Sequence, residues 1–152
     1  MKMLTHVLFT FALASLVCST QIRDVWVLNN VFIYSLLINY FIDVFGHLNG
    51  KRTPLTHEVI NNVSISLATG LIIHFIISHT VYIPALVVVA TSVIASFTHL
   101  FLDLITGNIY LAKPLGLVKL NLSVGRYDDF ALNTLFIFMS LVIVVLILTL
   151  IL

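Results

Sequence analysis

Five apolar runs alternate with short polar stretches along the chain, over residues 3–20, 25–45, 59–78, 81–105 and 130–152. Each approaches the ~20 residues that a helix needs to cross a bilayer core. Lipid offers no partner to an open backbone, so the runs are expected to be helical. Pro84 falls in the first turn of the fourth run, where a missing N–H costs little. The connections differ in kind. Residues 21–24 form a short turn, and 48–56 a polar loop carrying Gly50, Lys51, Arg52 and Pro54. His79 and Thr80 make a tight hairpin. In the long connection 107–127, Val118, Leu120, Leu122 and Val124 alternate with Lys119, Asn121 and Ser123. That period of two predicts a short strand or hairpin at the membrane interface. Asp128 and Asp129 open the last run, where acidic side chains suit the positive end of a helix.

The expected architecture is therefore all-α. It is a polytopic bundle of about five transmembrane helices, with a short β-like or irregular loop before the last, in one integral membrane domain spanning 1–152. Composition agrees: 61% of residues are hydrophobic, 9% are charged, and the mean hydropathy is +1.17. The first run, behind Lys2 alone, is read as a retained helix rather than a secretory signal. A net charge of +1 gives no reason to expect nucleic acid as a partner. One cysteine, Cys18, excludes an internal disulfide and a cysteine-based zinc site.

Counting positive charge by side sets the orientation. With five crossings, Lys2, Lys51, Arg52, Lys113, Lys119 and Arg126 share one side and Arg23 stands on the other. The N-terminus is expected in the cytoplasm and the C-terminus outside, in a plasma or virion membrane. On that topology His6, Asp43, His47, His57, Glu58, His99, Asp103, Asp128 and Asp129 all fall at the cytoplasmic end. His74 and His79 fall toward the opposite end and read as structural residues. The orientation came from Lys and Arg alone, so the gathering of His and acids is a separate observation.

Spacing sharpens it. Asp43 and His47 are four apart, as are His99 and Asp103, and residues four apart share one helix face. Each pair can present a carboxylate oxygen and an imidazole nitrogen to one centre. Such donors, without thiolates, suit a divalent metal: zinc first, with manganese or iron as alternatives, and with room for two ions. A catalytic site would keep one position open for water and lower its pKa toward neutrality. Asp128, Asp129 or Glu58 would complete the ligand set or act as base. A lone His or Asp at a helix end is commonly a cap or a snorkelling residue. His99 and Asp103 are harder to explain so, because a charged side chain within an apolar helix costs ~2.5–3.5 kcal/mol or more.

The order of these residues carries a resemblance. His6 comes first, then Asp43 and His47, and then R-T-P-L-T-H over 52–57. Next is H-x-x-x-D-x-x-T-G at His99, Asp103, Thr106 and Gly107. A proline-bearing segment at 111–114 follows, and then Gly125 with Asp129 four residues on. The pattern resembles the membrane-bound metal-dependent hydrolases typified by the LexA-binding inner-membrane protein YdjM. In compactness it is closer to their small archaeal relatives. The chain departs from that pattern in three places: a single Asp precedes His47, Glu58 follows the Thr–His pair where Ser is common, and Asp129 stands where Glu is usual.

The resemblance implies a metal-dependent hydrolase with His6, Asp43, His47, His57, His99 and Asp103 as ligands. Its expected substrate is an ester or phosphoester, such as a lipid whose head group reaches the cytoplasmic membrane face. Glu58 and Asp129 are the candidate catalytic carboxylates. Thr56 and Thr106 would orient ligands, and Arg52, with Lys51, would hold a phosphate or anchor the loop. Two other classes stand beside the enzyme: a structural or organising membrane protein, and an ion or proton translocator. The apolar middle of each helix argues against the translocator. The sequence gives no oligomeric state.

Overall fold

The computed structural model describes residues 1–22, 24–48, 51–77, 83–113 and 116–151. Arg23, Gly50, the expected 79–80 hairpin with His79, and Pro114 lie outside them, as do the ends of the expected runs at 78, 81–82 and 152. Among the described residues the chain forms six helices and four short strands. They are α1 (Met3–Val17), α2 (Val25–Gly46), β1 (His47–Leu48), β2 (Lys51–Arg52), α3 (Pro54–His57), α4 (Val59–Ile77), α5 (Ala85–Thr106), β3 (Ile109–Lys113), β4 (Gly116–Leu120) and α6 (Phe130–Ile151).

By length and composition α2, α4, α5 and α6 can each cross a membrane. α1 has 15 residues and stops at Val17 rather than at residue 20. At 1.5 Å per residue it is only ~22 Å long. The helix at 85 begins after Pro84, which stands at its N-cap, outside the helix. The polar 48–56 loop holds more structure than its composition announces. β1 and β2 pair antiparallel, His47 opposite Arg52, and Pro54 then opens the four-residue α3 behind Thr53. This is the favoured first helical position for proline.

α1 packs against α2, α5 and α6, and α5 also packs against α2 and α4. The interior mixes apolar and small polar residues. Tyr34, Ile38, Ile42, Val87 and Val88 are fully buried, but so are Thr10, Ser35, Asn39, Ser66, Thr91, Ser92 and Ser96. The helix middles are thus less uniformly apolar than the sequence suggests. Their polar residues are small and face neighbouring helices, which lets backbones approach closely. Gly70 illustrates it: a Cβ there would overlap Ser92 Oγ on α5. Large apolar side chains face outward instead, among them Phe75, Phe138 and Leu150.

The alternation in the long connection does produce β structure. β3 and β4 form an antiparallel hairpin with Tyr110 opposite Lys119, and Gly116 supplies the positive φ of 137° at its turn. The expected strand does not continue to residue 124. The N–H groups of Leu122 and Val124 instead donate to the carbonyls of Leu104 and Ile105. These are among the last carbonyls of α5, which lack partners within the helix. The hairpin is thereby tied to the end of α5 that carries His99 and Asp103.

Candidate metal centre

Asp103 is the hub. It lies on α5, one turn from the helix end, and is 1% exposed. Its Oδ1 is 2.5 Å from Arg52 Nη2, 3.3 Å from the Met1 amine and 3.4 Å from His6 Nε2. Its Oδ2 is 3.0 Å from His57 Nε2 and 3.4 Å from His99 Nε2. His6, His57 and His99 are all buried. The His6 and His99 rings stack with centroids 4.2 Å apart. Burial pulls the Met1 amine below its usual pKa, and the neighbouring Asp103 carboxylate works against that shift.

A second group adjoins the first. Asp43 Oδ1 lies 3.5 Å from His47 Nδ1 and 3.5 Å from His99 Nε2. The potential ligand atoms of Asp43, His47 and His57 lie within 4.8 Å of one another, as do those of His6, His99 and Asp103. The six residues come from separate parts of the chain. Two features of the fold bring His57 inward. Pro54 starts α3 and turns the chain after β2. Gly46, at the end of α2, leaves room where a Cβ would overlap Thr56 Oγ1 and press on the His57 ring. Gly107 does the same for Arg52, whose guanidinium occupies the space of a Cβ there.

Hydrogen bonds behind the ligands fix their presentation. Asn39 donates from Nδ2 to Ser35 O at 2.8 Å and to Thr10 Oγ1 at 3.0 Å. Its amide nitrogen is therefore committed, and its Oδ1 accepts from His99 Nδ1 at 2.9 Å. With the proton on Nδ1, a neutral His99 turns the lone pair of Nε2 toward the two carboxylates. His57 Nδ1 shares a hydrogen bond of 3.0 Å with Thr56 Oγ1, so its Nε2 is likewise the inward atom. Asn62 Nδ2 donates to Thr56 O and holds that turn in place.

Four atoms of the cluster remain without a hydrogen-bond partner: His6 Nδ1 and, close to one another, His57 Nε2, His99 Nε2 and Asp103 Oδ2. Each such buried group costs roughly 1–3 kcal/mol, and buried polar atoms in folded proteins are nearly always partnered. Orphaned nitrogen and carboxylate donors facing one another are what a divalent cation satisfies. The donor set of imidazole and carboxylate, without thiolate, suits zinc, manganese or iron. The residues present thus fit a metal.

The other expected residues fall elsewhere. Glu58 Oε2 accepts from Asn61 N at 2.8 Å and Asp129 Oδ1 from Leu132 N at 3.0 Å. Both carboxylates cap helix starts, and neither is among the groups gathered around Asp103. Asp128 is exposed and pairs with Arg126. Thr106 Oγ1 bonds Leu102 O and accepts from the Met1 amine. Arg52 also reaches Asp103 O at 3.4 Å. His74 lies apart, 3.4 Å from Tyr34 Oη. Lys51 has no described side chain. The residues missed from the sequence are Asn39, Asn62 and Gly46; Gly107 stood in the motif without its part beside Arg52. Asn39 had a signal, since it precedes Asp43 by four and shares its helix face.

The cluster floors an open cleft of about 690 Å³. Asp43, His47, Arg52, Asp103, Tyr110, Lys119 and Tyr127 are among the residues that line it.

One family model matches the chain, over residues 1–102, under the description "Protein of unknown function (DUF1286)". The match takes in His6, Asp43, His47, Arg52, His57 and His99, and it ends one residue before Asp103. No curated protein and no solved structure matches the chain.

Proposed function

We propose that this chain, which belongs to the DUF1286 family, is a membrane-embedded metal-dependent hydrolase acting on an ester or phosphoester at the cytoplasmic membrane face. The observation that carries the proposal is the set of orphaned atoms: His57 Nε2, His99 Nε2 and Asp103 Oδ2 face one another, buried and without hydrogen bonds. The motif resemblance to YdjM-type hydrolases and the cleft beside the cluster support it further. Five crossings, with α1 as the shortest, and the cytoplasmic N-terminus that the charge bias then gives belong to the same proposal.

His6, His99 and Asp103 would hold one metal ion, and Asp43, His47 and His57 a second. Bound there, divalent metal supplies Lewis acidity, which polarises a phosphoryl or carbonyl oxygen and acidifies water. The chain's own residues prepare that chemistry. Asn39 and Thr56 hold two imidazoles in orientation. Arg52 neutralises the Asp103 side that faces away from His57 and His99. Burial of His6, His57, His99 and Asp103 limits the water around them, which strengthens each electrostatic interaction among them. Glu58 and Asp129, engaged as helix caps, have a structural part in this scheme.

The test is metal content measured beside hydrolysis of a panel of carboxylic and phosphoric esters, on wild type, His57→Ala and Asp103→Asn. Stoichiometric metal and turnover in the wild type, both lost in the variants, are expected. A structural membrane protein would instead hold no metal at micromolar supply and would tolerate substitution of His99, and that outcome ends the hydrolase proposal.

A further inference from the structure

We infer that the cleft takes a lipid phosphoester, an amphiphile with an anionic phosphate head, which enters sideways from the bilayer with its head group on Arg52 and Lys119. The inference rests on the hydrolase proposal and narrows its substrate.

Depth comes first. Asp103 precedes the end of α5 by three residues and Asp43 precedes the end of α2 by three. At 1.5 Å per residue the cluster lies ~4.5 Å inside the helix ends. A 22-residue helix is ~33 Å long, close to the hydrocarbon thickness of a bilayer. The cluster therefore lies at the level where lipid head groups meet acyl chains.

Charge comes next. Arg52 and Lys119 balance Asp43 and Asp103 around the cleft. Once metal neutralises the carboxylates, the cleft has a surplus of positive charge. Arg52, whose Nη2 holds Asp103 Oδ1 and whose Nη1 reaches Asp103 O, keeps further N–H donors for a phosphate, whereas Lys119 acts as a compact point charge. Tyr110 stands opposite Lys119 in the β3–β4 hairpin, so the two share one face, and both line the cleft. Divalent metal held by the cluster would also supply Lewis acidity suited to a phosphoryl oxygen.

The route follows from the segment that carries Tyr127, one of the residues lining the cleft. Beyond β4, Leu122, Val124, Tyr127 and Phe130 are 58%, 64%, 58% and 82% exposed. These side chains follow one another along a stretch bonded to the end of α5, at the depth of the cluster. A head group in water would need no such apolar rim. An acyl chain running from the cleft into the bilayer would lie along it, and tyrosine at the rim suits the interface.

The experiment uses metal-loaded protein in phosphatidylcholine nanodiscs doped with phosphatidic acid, with metal content measured on the same sample. Native mass spectrometry reads which lipid stays bound. Calorimetry in micelles reads binding of inorganic phosphate and p-nitrophenyl phosphate. Phosphatidic acid should be retained at least tenfold over phosphatidylcholine. Arg52→Gln and the surface variant Lys119→Gln should each lower that preference, and Arg52→Lys should keep part of it. Leu122→Ser with Val124→Ser should weaken lipid retention and leave phosphate binding unchanged. Equal retention of the two lipids by metal-loaded protein overturns this inference alone. Soluble phosphate binding as tightly as the lipid, with no effect of the Leu122 and Val124 changes, also overturns it in favour of a soluble anion. Protein without metal overturns it together with the hydrolase proposal.

Discussion

His57 Nε2 stands 3.0 Å from Asp103 Oδ2, off the line that a ring N–H would need for a hydrogen bond. The two residues are 46 positions apart, on α3 and α5. With its lone pair turned inward, His57 Nε2 would repel that oxygen until a proton or a cation came between them. His99 Nε2, 3.4 Å from the same oxygen, adds a third atom. The fold has assembled a set of donors and left them unpaired at their point of convergence.

A ligand that satisfies those atoms binds the folded state alone and must raise its stability. At a free metal concentration one hundred times Kd the gain is ~2.7 kcal/mol. Zinc or manganese added to metal-free protein in detergent should therefore raise its thermal midpoint, and a chelator should reverse the rise. In His57→Ala, which removes the nitrogen facing Asp103, the shift should shrink to the level seen with magnesium, a poor partner for imidazole. Scanning fluorimetry across a metal series checks this. A rise of equal size in wild type and variant would mean that the ion binds elsewhere.

Asn39 touches no inward atom of the cluster, yet it settles which nitrogen His99 presents. Asn39→Leu preserves bulk and removes the acceptor for His99 Nδ1. Loss of such an orienting partner typically lowers metal affinity 10–100-fold. Competition with a metallochromic dye should read that loss, while circular dichroism shows the helices intact. Asn39→Asp, which restores an acceptor for the His99 ring, should recover most of the affinity. Unchanged affinity in Asn39→Leu would assign Asn39 to packing alone.

These contacts mark what the sequence makes legible and what it hides. The apolar runs give α2, α4 and α6 nearly to the residue, and α5 except for its start, which falls at Ala85 behind Pro84, because length and hydropathy suffice to define a long apolar helix. The four-residue spacings put Asp43 with His47 and His99 with Asp103, because a helix fixes which positions share a face. α3 was hidden because four residues behind a proline carry too few positions to show a period. Glu58 and Asp129 were legible as residues at helix starts, but their part there was hidden for a different reason. A carboxylate at a helix start serves equally well as a cap or as a ligand, and only the position of the neighbouring N–H groups decides. Gly46 was silent, and Gly107 stood in the motif without its part, because that part depends on the partner that comes close, Thr56 and Arg52, and not on local pattern.

Glycine substitutions should separate the site from the scaffold. In Gly46→Ala the new methyl meets Thr56 Oγ1 and the His57 ring, so metal binding should suffer first. In Gly70→Ala the methyl meets Ser92 Oγ, between α4 and α5 and away from the cluster. Overpacking of this kind costs about 1–3 kcal/mol. It should lower the thermal midpoint with little change in metal affinity. Ser92→Ala removes the opposing oxygen and should restore much of the stability of Gly70→Ala. A double variant no more stable than Gly70→Ala would place the clash elsewhere than at Ser92 Oγ.

Membrane topology tests the proposal that α1 crosses despite its 15 residues. α1 packs on α2, α5 and α6, and Thr5, His6, Thr10 and Ser15 are buried within the bundle. Contact with three neighbours, rather than its own hydropathy, would hold a helix of this length at full depth, since a short span is accommodated at modest cost by local thinning of the bilayer. If all five long helices cross, the two termini lie on opposite sides, with the C-terminus outside. Reporters that are active on only one side of the membrane, fused in turn to each end, should give opposite signals. Moving the positive charge should also matter, because Lys2, Arg52, Lys119 and Arg126 stand on one side in this arrangement. Changing Arg126 and Lys119 to Gln should weaken the bias and yield a fraction of inverted chains. Like signals from both termini in the wild type would mean four crossings and an α1 that returns to its own side. His6 would then reach Asp103 from a helix that enters the bundle without traversing it.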